Sequence, residues 1–132
     1  MTDFSPYTAQ QIANWLSQGT INAAPSNIWV TLFDDTGTEL ESNVANGRVS
    51  TTAGSDWDSP GTDFDNANEI DFGEAQANIT IQDVALYDSD TGGSNNELAR
   101  YSIDAAPQDV NSGVRVFFAA GDLSFDVVDN TE

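Results

Sequence analysis

The chain has 132 residues, the size of one ordinary domain, and carries 22 acidic residues against three basic ones, Arg48, Arg100 and Arg115, for a formal net charge of -19. Lys, His and Cys are absent. That balance excludes the basic footprint of a nucleic-acid binder, and the missing His and Cys remove the commonest catalytic base and nucleophile along with any disulfide.

An apolar fraction of 39%, with seven Phe, three Tyr and three Trp, is enough for a core without metal or disulfide staples. Residues 1–132 are therefore expected to fold as a single domain despite the charge. Many acids come in close pairs: Asp34/Asp35, Asp56/Asp58, Asp63/Asp65 and Asp88/Asp90. Such pairs repel at physiological salt, where the screening length is about 8 Å, and barely at 1 M, where it is about 3 Å. The expectation is a chain adapted to concentrated salt, in which acidification partly replaces salt by protonating the same carboxylates. No run approaches the roughly 20 apolar residues of a membrane span, so no membrane insertion is expected. Met1-Thr2-Asp3-Phe4 lacks the positive and apolar regions of a secretion signal.

Residues 1–24 read as an N-terminal arm and helix. Thr8-Ala9-Gln10-Gln11 predicts a capping box with Thr8 as N-cap, and Gly19 is a natural stop. Ile12, Trp15 and Leu16 share one face, which reads first as an internal packing stripe. Phe4, Tyr7 and Trp15 are the candidate interface residues, since aromatics are enriched where interfaces bury surface. Contact is the favoured reading for Phe4 and Tyr7, while Trp15 is divided between contact and plugging one end of the domain with Ile12.

After Pro25 the pattern changes to short strands. Residues 28–33 are β-branched and aromatic, and Asp34-Asp35-Thr36-Gly37 closes them with a turn. A weaker strand is expected over residues 39–44, then Asn46-Gly47 signals a type I′ hairpin into residues 48–51. Residues 54–67 read as a long surface loop whose Trp57 and Phe64 tuck inward. Residues 70–72 form a short strand, residues 79–87 alternate as one longer strand, residues 88–93 turn, and residues 98–103 return. Residues 114–118 and 123–127 are expected to pair with each other across residues 119–122. The spacing predicts a mainly β domain over residues 25–132, an antiparallel, jelly-roll-like β-sandwich preceded by one short N-terminal helix.

Asp88-Ser89-Asp90-Thr91-Gly92-Gly93 begins like a calcium loop, with carboxylates at positions one and three and Gly at six. Gly92 offers no ligand at position five and Ala99 none at position twelve, so no specific metal site and no cofactor are assigned. Asp88 and Asp90 remain weak candidates for loose calcium or magnesium, within the non-specific cations any acidic surface attracts. Acids occur everywhere, so no pair stands out for glycoside chemistry, and no catalytic residue is assigned. Asn78-Ile79-Thr80 is a glycosylation sequon, a motif too common by chance to carry weight.

Taken in order, several segments carry a resemblance: the helix ending near Gly19, P-S-N-I-W-V-T-L-F from Pro25 to Phe33, N-E-I-D-F from Asn68 to Phe72, I-Q-D-V-A-L-Y-D-S-D-T-G-G from Ile81 to Gly93, and G-V-R-V-F-F-A-A-G-D-L-S-F-D-V from Gly113 to Val127. The chain resembles a family of small tailed-phage virion proteins, loosely labelled tail fiber proteins, over most of its length. The turn from Leu86 to Gly93 and the run from Phe118 to Leu123 are the most specific pieces; the 54–67 loop and the acidity depart from the pattern. The resemblance implies assembly and host contact rather than chemistry, so the chain is not expected to be an enzyme. With the charge, it implies a tailed virus of a halophilic archaeon. The expected protein is a virion surface component, either a head decoration or turret subunit or a tail-associated part. It would be a symmetric homo-oligomer that meets other virion proteins and a host surface receptor, assembled in the host cytoplasm. The competing expectation is a sugar-binding β-sandwich module of a halophile cell-surface protein, which Trp57 exposed on a flat face would favour.

Overall fold

A computed structural model describes residues 3–59 and 61–126. Helix α1 spans Pro6–Gln18, and its N-cap is Ser5 rather than Thr8. Ser5 is extended (φ -70, ψ 163) and its Oγ accepts the Thr8 N–H at 3.2 Å. Pro6 then takes the first helical position, where its missing N–H costs nothing and its fixed φ suits the helix. That preference places the start three residues ahead of the Thr8 box, and leaves the Thr8 hydroxyl free to donate to the Leu98 carbonyl at 2.8 Å. Gly19 ends the helix as expected, in the left-handed region at φ 69, with its N–H on the Trp15 carbonyl.

The strands among the described residues are β1 Asn27–Phe33, β2 Val49–Thr52, β3 Trp57–Asp58, β4 Asp63–Asn66, β5 Ile70–Glu74, β6 Ile79–Ile81, β7 Asp83–Tyr87, β8 Glu97–Ser102, β9 Gln108–Val110, β10 Arg115–Phe118 and β11 Ser124–Asp126. Four of them form a sheet in the order β2-β1-β7-β8; the others form the ladders β10-β5, β11-β4-β3 and β6-β9, and every pairing is antiparallel. The fold is mainly β with one N-terminal helix, as the strand spacing predicts.

Alternation along the large sheet points Val30, Leu32, Val84, Leu86 and Ala99 to one side, where they meet Ile70, Phe72, Val116, Leu123 and Phe125 of the short ladders in one buried cluster. Phe125 is the hub: it stacks on Phe64 at 5.4 Å and takes the edges of Tyr101 at 4.8 Å and Trp57 at 6.1 Å. The 54–67 segment is thus partly strand, and its Trp57 and Phe64 do tuck inward.

Other expectations change as well. Residues 39–44 make only two isolated bridges, Glu39 to Phe33 and Val44 to Ala75, on either side of a 3-10 turn over Glu41–Asn43. The buried residues there, Leu40 and Val44, are four apart, which suits a helical turn and not a strand. The type I′ turn at Asn46-Gly47 does not form: the Gly47 N–H closes on the Val44 carbonyl at 3.2 Å, only Gly47 of the pair is at positive φ (59), and β2 pairs with β1 instead of folding back locally. The strand over 79–87 is broken at Gln82, because inward positions 81 and 84 are out of phase; β6 joins β9 while β7 joins β1 and β8.

Nor do β10 and β11 pair with each other; β10 joins β5 and β11 joins β4. Buried Asn66 explains the separation. Its Nδ2 donates to the Asn68 and Ala119 carbonyls, and its Oδ1 accepts the Leu123 N–H at 2.9 Å, which pins β4 into the turn that joins the two strands. Val127, assigned to that last strand, lies outside the described residues. Gly73 (φ 77) permits another close approach, since a Cβ there would sit 2.8 Å from the Ala45 Cβ.

Candidate functional site

The N-terminal arm extends the large sheet beyond β8. Phe4 bridges Ala99, the Ser5 N–H reaches the Leu98 carbonyl at 2.9 Å, and the Ser5 hydroxyl donates to the Glu97 carbonyl. The chain after α1 folds back beside it: the Asn22 N–H bonds Gln11 Oε1 at 3.0 Å and the Asn22 Nδ2 donates to the Tyr7 hydroxyl at 3.2 Å. Between helix, return segment and sheet lies an apolar groove of about 470 Å³, whose walls include Phe4, Tyr7, Ile21, Pro25, Ile28 and Leu98.

Of the candidate interface residues, Phe4 is half-buried and packs on the core, Tyr7 is half-buried in the groove, and Trp15 is 57% exposed. The Ile12-Trp15-Leu16 stripe does not pack inward, because the anchors at Ser5 and Thr8 turn Tyr7, Thr8 and Gln11 toward the groove instead. No residue of helix α1 is fully buried. Leu16 is 74% exposed and Ile21 53%. Sequence reasoning singled out neither as a contact residue, although a signal for them was present. Residues 4–33 contain no charged residue, whereas 22 acids over 132 residues put about five in any 30, and the next uncharged run, 75–82, is eight long.

The outward face of the large sheet is charged instead. Phe33, Ala85 and Tyr87 cluster there with Trp29, beneath two arginines. Arg48, its side chain only 3% exposed, lies 4.0 Å over the Tyr87 ring and grips Glu39 with Nε at 2.7 Å and a second nitrogen at 3.0 Å. Its third donor reaches the Ser89 carbonyl at 2.9 Å, tying β2 to the 88–93 turn. Burial pushes the Glu39 carboxyl up, but hydrogen bonds from Arg48 and from the Thr31 hydroxyl outweigh it, and the group sits below the usual carboxylate range. Arg100 lies 3.7 Å over Phe33 and bonds Glu97 through Nε at 2.9 Å. Arg115, on the far ladder, lies over Phe117 at 4.2 Å and pairs with Glu69 and Asp71. Each arginine is thus stacked on a ring and paired with acids.

The weak metal candidates fasten their own turn. Asp88 accepts the Asn96 N–H at 2.8 Å and the Asn96 side-chain amide at 2.9 Å, and Asp90 accepts the Gly92 N–H at 3.0 Å. Burial raises the Asp88 carboxyl, and the Asn96 donors bring it net below the ordinary value. Trp57 offers no flat platform: it is half-buried among Phe64 and Phe125, and its Nε1–H donates to Thr51 Oγ1 at 2.8 Å.

The candidate site is therefore an exposed apolar surface on a charge-free helix appended to a small antiparallel β fold. The family described as podophage GP4 fiber I protein gp80 matches residues 3–126, and the chain belongs to that family. This makes it a structural protein of a tailed virus. No curated protein matches the sequence.

Proposed function

We propose that the chain is a repeating, non-enzymatic surface subunit on the tail of a virus that infects a halophilic archaeon. It works as a symmetric homo-oligomer whose N-terminal region is at or near a contact with neighbouring virion proteins, and its outer surface meets a host receptor. The observation that carries the reading is the fiber-family match, which spans nearly all of the described fold. The halophilic host is supported by the charge of -19 without a single Lys, and by three arginines all engaged in pairs within the chain. The sugar-binding alternative loses its main support with Trp57 turned inward.

Gold-labelled antibody against this chain, applied to purified virions kept in about 3 M NaCl, tests the location. Label along the tail is expected. Label at head vertices moves the subunit to a turret or decoration role, and particles that lack the chain by mass spectrometry overturn the proposal.

A further inference from the structure

We propose that helix α1 is where copies of this chain meet, docking through Trp15, Leu16 and Ile21 of one copy against the same residues of another. The inference rests on the homo-oligomer proposed above and names its surface. Two copies that each carry a net charge of -19 repel where their acids face each other at low salt, and in concentrated salt a contact made of acids still has to strip water from unpaired carboxylates. Residues 4–33 are the one long stretch without charge, and that stretch holds a helix with no fully buried residue and leaves three large apolar side chains in solvent. Interface cores are depleted of charge in just this way.

The charge pattern also selects the partner. A cationic protein would be drawn to the acidic turns that cover the rest of the molecule and would gain nothing from a surface free of acids. A second copy has the same sign everywhere else, and salt that screens repulsion does not remove the cost of burying unpaired carboxylates in a contact. The surface it can cover is therefore the one where both copies are neutral, and it brings a matching apolar face. Phe4 and Tyr7 hold the helix to its own domain, through the Ala99 bridge and the Asn22 amide, which leaves Trp15 as the aromatic free to reach across. The other exposed apolar pair, Val114 and Phe117, is less suited, because Phe117 lies under the Arg115 guanidinium beside Glu69 and Asp71. A face that meets its own copy closes around a rotation axis.

Sedimentation equilibrium of the full chain in about 3 M KCl tests the docking directly. The wild type should sediment as a multiple of 14.1 kDa. W15D/L16D should weaken association by roughly 100-fold or more, since it places acids in the contact, while W15F/L16M keeps the wild-type mass. Both altered side chains are exposed, so the thermal midpoint of the separated chain should hold; if W15D/L16D does not fold, Leu16→Ser alone gives the same readout. A wild type that is monomeric at ~100 μM, or a W15D/L16D protein with the wild-type mass, overturns the docking. Virion incorporation, followed in parallel, separates the two readings. A monomer still present in particles overturns self-docking and leaves the virion role standing, and loss of that monomer on W15D/L16D assigns the helix to a different virion protein. An α1-dependent oligomer absent from particles supports the docking and removes the virion role.

Discussion

Helix α1 and the outward face of the β2-β1-β7-β8 sheet are both surface layers of one acidic chain, and they handle charge in opposite ways. On the sheet, Arg48 and Arg100 lie flat on Tyr87 and Phe33 and neutralise Glu39 and Glu97, so the only positive charges nearby are consumed inside the fold. On the helix there is no charge to neutralise, and Trp15 and Leu16 stand in solvent although burying each would be worth about 1.5–3 kcal/mol. An acidic chain can stabilise itself by pairing its few cations, or it can keep a neutral surface for association. This one does the first on its sheet, and the docking proposed for its helix would be the second.

Salt should have the largest effect on that contrast. The paired acids of the turns repel at low ionic strength, while the apolar helix does not. Thermal unfolding followed from about 0.1 to 3 M KCl at fixed pH should show a rise on the order of 10 °C or more. A midpoint that is flat with salt would refute haloadaptation and would remove the reason for a charge-free contact.

Next in size is the loss of Arg48. Arg48→Leu leaves Glu39 half-buried without its bidentate partner, strips the cover from Tyr87 and releases the Ser89 carbonyl. Breaking a buried pair from one side costs about 3 kcal/mol or more. Adding Glu39→Gln to Arg48→Leu should recover part of the loss, because the stranded charge goes with it. Denaturant unfolding in high salt reads both, and an Arg48→Leu protein as stable as the wild type would mean that the sheet face is not locked by this pair.

The strand inventory was legible because β-branched and aromatic runs such as residues 28–33 carry their own period. The pairing was not, since it depends on partners distant in sequence. β10 and β11 look like a hairpin until Asn66, 53 to 57 residues away, reaches into their turn. Arg48 and Arg100 read only as two of three basic residues, because their function depends on a register that stacks them on rings from other strands. The helix was legible in kind, and its start and outward face were not, since Ser5 and Thr8 bond to β8 backbone that local sequence cannot reveal. The charge-free run over residues 4–33 is legible in the sequence, whereas which of its side chains stay exposed depends on the anchors to β8.

Acid should move the two regions differently as well. Glu39 and Asp88 have folded-state values below the ordinary carboxylate range, so their ionised forms are favoured by the fold. The stability they contribute is fully present above the unfolded values, 4.5 for Glu39 and 3.8 for Asp88, and is lost as pH falls through the lowered folded values. In about 3 M KCl, where repulsion is screened, the thermal midpoint should drop by some degrees between pH ~5 and ~3. In about 0.1 M KCl, protonation also relieves repulsion, so the drop should be smaller or reversed. Equal drops at the two salt concentrations would mean that surface repulsion contributes little.

The smallest effects belong to the helix. If Ser5 is the cap, Ser5→Ala removes the acceptor for the Thr8 N–H and the donor to the Glu97 carbonyl, and should cost about 1 kcal/mol, a shift of a few degrees. Leu16→Ser, by contrast, should change the stability of a single chain by less than about 0.5 kcal/mol, because the side chain has nothing to lose there. Thermal melts at a protein concentration low enough to keep the chains apart measure both. A neutral Ser5→Ala would return the cap to Thr8 and loosen the helix from β8. A Leu16→Ser variant that melts several degrees early would show that the exposed half of α1 is held by its own domain, and the contrast between helix and sheet would fail at the point where it predicts a partner.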